Sequence, residues 1–165
     1  MDIAANLQSL SDLIFLFLGD GTEKTRLMAL VRQRKINNVV FQPFVSKEEY
    51  SELVREVDAG VVCLSPKNKT PVVPGKILGY MAARIPVLAF LNQESDGHAI
   101  IKTARCGYSA VSDNVKTGTE MVLKLYHERE TISLLGENGY RYAAEHFSKK
   151  RCIDRLENFF KTKNP

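Results

Sequence analysis

Short apolar runs alternate with amphipathic helical patterns from one end of the chain to the other, and this alternation restricts the fold more than any other feature. Leu13-Ile14-Phe15-Leu16-Phe17-Leu18 is a continuous apolar run stopped by Gly19-Asp20-Gly21, the pattern of a strand buried on both faces of a parallel sheet. A helix fits residues 23–34, and Val39-Val40-Phe41 reads as a second strand. Ser46 and Glu49 have the spacing of a capping box, ahead of a helix whose Tyr50, Leu53, Val54 and Val57 share one face and should lie on the sheet. Residues 59–64 form the third strand, 76–83 a helix and 86–90 the fourth strand. A helix over 98–105, ended by Gly107 in a left-handed conformation, leads to a fifth strand over 108–111. Helical segments are expected over 117–127, 130–146 and 149–161, the first with a buried stripe of Met121, Val122, Leu125 and Tyr126.

Strand-helix repeats cannot close as antiparallel hairpins, so right-handed crossovers should join them into one parallel sheet. The expected fold is α/β, a Rossmann-like parallel sheet with helices on both faces, in a single domain spanning residues 1–165. A chain of 165 residues buries one core and is short for two. Ligands of such sheets sit beyond the carboxyl ends of the strands. The loops to inspect are therefore 19–22, 42–46, 65–75 and 92–97.

The net charge of +4 would suit a polyanion, but no basic run is interleaved with aromatic residues, which argues against nucleic acid as a partner. Lys149, Lys150, Arg151, Arg155, Lys161 and Lys163 crowd the last helix; a solvated face is the plain reading and a membrane surface the alternative. Cys63, Cys106 and Cys152 are too few and too scattered for a disulfide framework or a zinc site, which fits the reducing cytoplasm. The longest apolar run falls far short of the ~20 residues of a membrane-spanning helix. The first residues also lack the features of a secretion signal.

Among the loops, Gly19-Asp20-Gly21 resembles the opening of a dinucleotide fingerprint, yet Lys24 occupies the place of its third glycine, so a tight turn is the better reading. Pro74-Gly75-Lys76 directly precedes a helix. Unpaired amides at the helix start, with a cationic Lys76 beside them, form a natural phosphate site, against the simpler reading of a solvent-facing lysine. Gln42-Pro43-Phe44-Val45 could hold a base against an apolar wall, and Ser65 closes the third strand at the same end of the sheet. His98, beside Asp96 and Gly97, is either a ligand contact or structural. Neither a Ser-His-Asp set, a carboxylate pair nor a metal-ligand spacing stands out, so no residue is assigned a catalytic or metal-binding role.

The order of these segments resembles the C-terminal half of family 4 (group 1) glycosyltransferases of the GT-B architecture. Residues 15–24, FLFLGDGTEK, resemble the family's strand and G-D-G turn; residues 39–49, VVFQPFVSKEE, its base-binding turn; and residues 57–62, VDAGVV, the next strand. Residues 81–89, MAARIPVLA, are similar to its M-A-x-G-x-P-V segment, and residues 135–148, LGENGYRYAAEHFS, to its C-terminal helix pair. The resemblance covers nearly the whole chain. It implies a retaining hexosyltransferase of glycan or polysaccharide biosynthesis, without metal or other cofactor, whose nucleotide diphosphate sugar is held by Gly19, Gly21, Phe44, Val45, Ser65, Pro74, Gly75 and Lys76. It also implies an N-terminal acceptor-binding domain as partner, a cytoplasmic location at the inner face of the membrane, and peripheral membrane contact through the full-length protein. Met1 to Leu10 resembles the helix after the domain's first strand, so that strand is expected to be missing and the isolated chain to be inactive.

Four positions depart from the family. Its E-x7-E carboxylates would fall at Pro71 and Gly79, and in branches with P-S-K-x-x-E, Gly75 replaces the serine and Gly79 the glutamate. Arg84 stands where the family has glycine. These departures keep open a noncatalytic nucleotide-sugar-binding or interaction module, beside an epimerase of the same architecture and a response-regulator-like domain.

Overall fold

The computed structural model describes residues 1–163, with side chains described up to residue 161; the side chain of Lys163, counted above with the basic face, lies outside the described residues. The elements run α1 (Asp2–Asn6), β1 (Phe15–Leu18), α2 (Lys24–Gln33), β2 (Val39–Gln42), α3 (Lys47–Glu56), β3 (Gly60–Cys63), α4 (Gly75–Ala82) and β4 (Val87–Leu91). They continue with α5 (Gly97–Ala104), β5 (Gly107–Val111), α6 (Val115–His127), a 3-10 turn (Arg129–Thr131), α7 (Ile132–Phe147) and α8 (Lys149–Lys163).

All strand pairs are parallel, as the alternation of elements requires. The sheet is not continuous, however. β1 pairs with β2, and β3, β4 and β5 form a separate three-stranded sheet in that order.

β4 lies between two neighbours and shows the period-2 alternation of a central strand. Val87, Ala89 and Leu91 join Val62, Ile77, Met81, Ile101 and Cys106 in a core beneath α4, α5 and α7. Leu88 turns the other way, into a second core with Leu7, Ala110, Met121, Val122 and Leu125 under α1 and α6. Helices thus cover both faces.

Several sequence expectations are corrected. β1 is not buried on both faces, because it has one strand neighbour; Ile14, Leu16 and Phe17 keep substantial exposure while Phe15 reaches the second core. Of the α3 stripe, Val54 is fully buried and Tyr50 is exposed. The left-handed residue that ends α5 is Arg105, at φ 50 and ψ 43, whereas Gly107, at φ +153, already belongs to β5. A side chain at Gly107 would collide with the Val87 backbone, so this glycine serves close strand approach and not helix termination. On α6, Met121, Val122 and Leu125 are buried as expected, but Tyr126 sends its hydroxyl out to Asp12.

α7 packs tightly through Gly136 and Gly139. A Cβ on Gly136 would meet the Arg84 carbonyl, and one on Gly139 would lie 3.0 Å from the Cys106 Cβ. α8 leaves Ile153, Leu156, Phe159 and Phe160 exposed beside its basic residues. Among the described residues no helix is long and apolar enough to cross a membrane.

Candidate functional site

β1 ends in a tight turn that Gly19 makes at φ +111, a conformation open to glycine and strained for other residues. The Asp20 carboxylate accepts from the Gly21 amide at 3.2 Å. From the first turn of α2, Lys24 reaches back over the strand ends: its ammonium donates to the Gly19 carbonyl at 2.8 Å and the Gln42 carbonyl at 3.4 Å, and lies 3.8 Å from Asp20. Phe17, Leu18, Gly19, Asp20, Gly21, Glu23, Lys24, Leu27 and Phe41 line a shallow cleft of ≈ 220 Å³ here. Two of its three donors are directed at carbonyls and the ammonium is also in ion-pair distance of the Asp20 carboxylate, so Lys24 ties the two strand ends and the turn together. Sequence reasoning noticed Lys24 only as a missing glycine; its place in the first turn after a strand-ending glycine turn was the available signal.

The Phe44-Val45 turn after β2 projects outward. Phe44 is 83% exposed, and Val45 is half-buried ahead of the capping box. Ser46 Oγ accepts from the Glu49 amide at 3.2 Å while Glu49 accepts from the Ser46 amide at 2.8 Å. These bonds fix the start of α3 and hold the Glu49 carboxyl below its ordinary value.

Ser65, after β3, opens the loop that arches to α4. Its hydroxyl accepts from the Lys67 amide at 3.3 Å and its carbonyl from the Asn68 amide at 3.0 Å, so it shapes a turn. Two buried polar residues at the end of β4 tie the loop down. Asn92 donates to the Thr70 carbonyl at 3.0 Å, and Ser95 Oγ to the Val72 carbonyl at 2.6 Å. Neither was singled out from sequence, where an Asn and a Ser in a polar loop carry no distinguishing pattern.

The loop delivers Pro74 to the N-cap of α4 with no side-chain cap and no acidic residue in the first turn. The positive end of the helix is therefore open to an anion. Gly75 has open space around it. Burial pushes the Cys63 thiol at the end of β3 upward, and the amino-terminal ammonium and then Lys76 oppose that push. Both cations are thus within electrostatic reach of the end of β3.

Both ring nitrogens of His98 are engaged within the fold. Its Nδ1 meets Ser109 Oγ at 2.8 Å and its Nε2 meets the Asn92 carbonyl at 3.3 Å, so Nε2 carries the proton that the carbonyl accepts. Gly79 lines a separate cleft of ≈ 200 Å³ between α3 and α4, with Tyr50, Ser51, Val54, Arg55, Ala82 and Ala83.

The candidate residues therefore fall into groups. Gly19 and Gly21 share the first cleft with Lys24; Pro74, Gly75 and Lys76 cluster at the start of α4 near the end of β3; Ser65 shapes the connecting loop; Phe44 and Val45 stand on their own turn. Neither of these two clefts gathers all eight. Nor does any group of three or more His, Cys, Asp or Glu among the described residues converge as a metal site would require.

Comparison with solved structures returns the same architecture. The chain is similar to a mutant of Staphylococcus aureus TarM in complex with fondaparinux, alpha-GlcNAc-glycerol and UDP, at TM-score 0.77 and 15% identity, over 96% of this chain and 31% of that one. Sucrose-phosphate synthase from Thermosynechococcus elongatus matches at TM-score 0.77 and 14% identity, over 98% and 41%. The C-terminal domain of a group 1 glycosyl transferase, LpcC, from Francisella tularensis matches at TM-score 0.71 and 20% identity, over 90% and 77%. The chain spans about a third of the length of TarM and two-fifths of the synthase. Parallel strands flanked by helices match the C-terminal half of GT-B glycosyltransferases. No curated protein matches the sequence. The family described as glycosyl transferases group 1 matches residues 2–142, most of the chain, and it is to this family that the chain belongs.

Proposed function

We propose that this chain is the donor-binding domain of a glycosyltransferase that moves a sugar from a nucleotide diphosphate sugar to an acceptor in glycan or polysaccharide biosynthesis. The observation that carries this reading is the uncapped start of α4, with Lys76 alongside and within electrostatic reach of the end of β3. Helix-end amides and a fixed ammonium compensate diphosphate charge without a metal and stabilise the departing nucleotide as negative charge develops on it. The Gly19–Gly21 cleft, with the Lys24 ammonium in its wall, is a second polar patch at strand carboxyl ends. TarM and the pneumococcal O-GlcNAc transferase GtfA, similar in fold, were each solved with UDP, which favours a nucleoside diphosphate here. In this reading the acceptor is held by a separate acceptor-binding domain. In the same reading the isolated chain is inactive, and the enzyme is cytoplasmic, with any membrane contact made through the full-length protein.

Titration with UDP tests the reading. Lys76→Ala should weaken binding by about 1–3 kcal/mol, roughly 5- to 150-fold, if the ammonium makes a charge-assisted hydrogen bond to phosphate. Equal affinity for UDP in the variant and the parent moves the phosphate elsewhere. A noncatalytic nucleotide-sugar module is the second reading, favoured by Pro71 and Gly79 where the family places carboxylates. Donor hydrolysis or transfer by the longer polypeptide containing this domain decides between the two.

A further inference from the structure

Glu94, in the loop between β4 and α5, takes no part in the phosphate site described above. It lies beyond the carboxyl end of β4, the central strand of the triplet, where open parallel sheets take their ligands. Its carboxylate is held from two sides. One oxygen accepts from the Asn92 side-chain amide at 3.1 Å, and the other lies 3.6 Å from the Lys69 ammonium. Asn92 is 1% exposed and its amide also donates to the Thr70 carbonyl, so a buried group sets the orientation of Glu94. The Glu94 side chain itself stays 39% exposed. These bonds, that of Asn92 foremost, hold its carboxyl below the ordinary value, and the group is ionised at neutral pH.

The same loop abuts the start of α4. Ser95 Oγ donates to the Val72 carbonyl at 2.6 Å, two residues ahead of Pro74, and accepts from the Gly97 amide at 3.1 Å. A Cβ on Gly97 would lie 3.1 Å from Ile77 Cδ1, in the first turn of α4. The loop that carries Glu94 and the amides that open α4 therefore border one rim. An ionised carboxylate only accepts hydrogen bonds, so beside a diphosphate it repels the phosphates and suits hydroxyls. With one amide proton taken up, most of its roughly four lone-pair sites remain. The pairing with Lys69, itself 73% exposed, is of a kind that contributes little in water and yields to a ligand. Asp96, the N-cap of α5, is exposed as well, but its side chain makes no capping bond.

We propose that Glu94 determines specificity for the donor's sugar: with the diphosphate at the start of α4, its carboxylate accepts hydrogen bonds from neighbouring sugar hydroxyls, in an orientation that Asn92 sets. This rests on the donor-binding reading. It supplies a carboxylate from the β4–α5 loop, beside Thr70, next to the position where Pro71 replaces the family's own. Calorimetric titration of the intact chain with UDP, UDP-glucose, UDP-galactose and UDP-N-acetylglucosamine tests it. The parent should bind at least one of the three sugar nucleotides more tightly than UDP. Glu94→Gln keeps an acceptor for Asn92 and loses the charge; it should weaken that sugar nucleotide about tenfold or more and leave UDP unchanged or slightly tighter. Lys69→Ala and Asp96→Asn should both retain the preference for the sugar nucleotide. Equal loss of UDP and sugar nucleotide on Glu94→Gln, or the same loss of preference with Lys69→Ala, makes Glu94 a brace of the loop and overturns the proposal. An equal effect of Asp96→Asn reduces it to unspecific charge, and a parent that prefers no sugar nucleotide over UDP also overturns it. If the parent does not bind UDP, the donor reading fails and this inference with it. If UDP binds and Lys76→Ala weakens it while Glu94→Gln leaves the sugar nucleotide unaffected, this inference alone fails.

Discussion

Arg84 sits at φ 60, a left-handed position just past α4 where the resembling family carries glycine. A non-glycine residue there costs about 1–2 kcal/mol in backbone energy. Its side chain offsets part of this: the guanidinium stacks 3.9 Å from the Tyr140 ring and donates to Glu137 at 3.2 Å. Arg84→Ala should keep the strain and lose the contacts, lowering stability by about 1 kcal/mol, whereas Arg84→Gly exchanges one for the other and should leave it nearly unchanged. Urea unfolding of the pair reads the difference. The same scale shows what a sequence hides. The departure at Arg84 was legible as a letter, but its cause needed the dihedral angle. His98 stood out by residue type and proved to be held by Ser109 and Asn92, while Lys24, which gathers two strand-end carbonyls, carried no motif. Side-chain destinations depend on contacts distant in sequence, which no local pattern records.

Element boundaries were largely readable because they follow from local physics: apolar periodicity, the Ser46 capping box, and glycine or proline at the ends. Five strands and the main helices lie close to where those signals placed them. The break between β1 and β3 was not readable as such, since strand pairing is a long-range property, although the expected absence of a first strand pointed to it. Helix packing is equally non-local. Gly136 reads as an ordinary helical glycine, yet it lets α7 rest on the Arg84 carbonyl. Gly136→Ala should destabilise by about 1–3 kcal/mol through that backbone collision, in spite of alanine's better helix propensity. Gly79, with open space around it, should respond oppositely: Gly79→Ala should stabilise by up to about 1 kcal/mol. Thermal melts of the two variants separate packing from propensity. For the loop that leads to α4, Ser95→Ala removes the donor to Val72 and should raise hydrogen exchange across residues 66–74 while costing about 1 kcal/mol.

Across the whole molecule, Asp12 links the segment before β1 to the end of α6, accepting from the Tyr126 hydroxyl and from Arg129, each at 2.6 Å. These bonds, the Tyr126 hydroxyl foremost, hold its carboxyl below the ordinary value. A depressed acid contributes stability that is present above the unfolded-state pKa, about 4, and is lost as pH falls through the folded value. Asp12→Asn should therefore melt lower than the parent at pH 6, and the two curves should converge as pH falls through the lowered folded-state value. The functional account depends on the rim where α4 begins. Its most direct test is an amide NMR titration of the intact chain with UDP. The account predicts saturable shifts centred on Gly75, Lys76 and Ile77, extending to the turn at Gly19–Gly21. Shifts confined to other surfaces, or none at millimolar nucleotide, would contradict it.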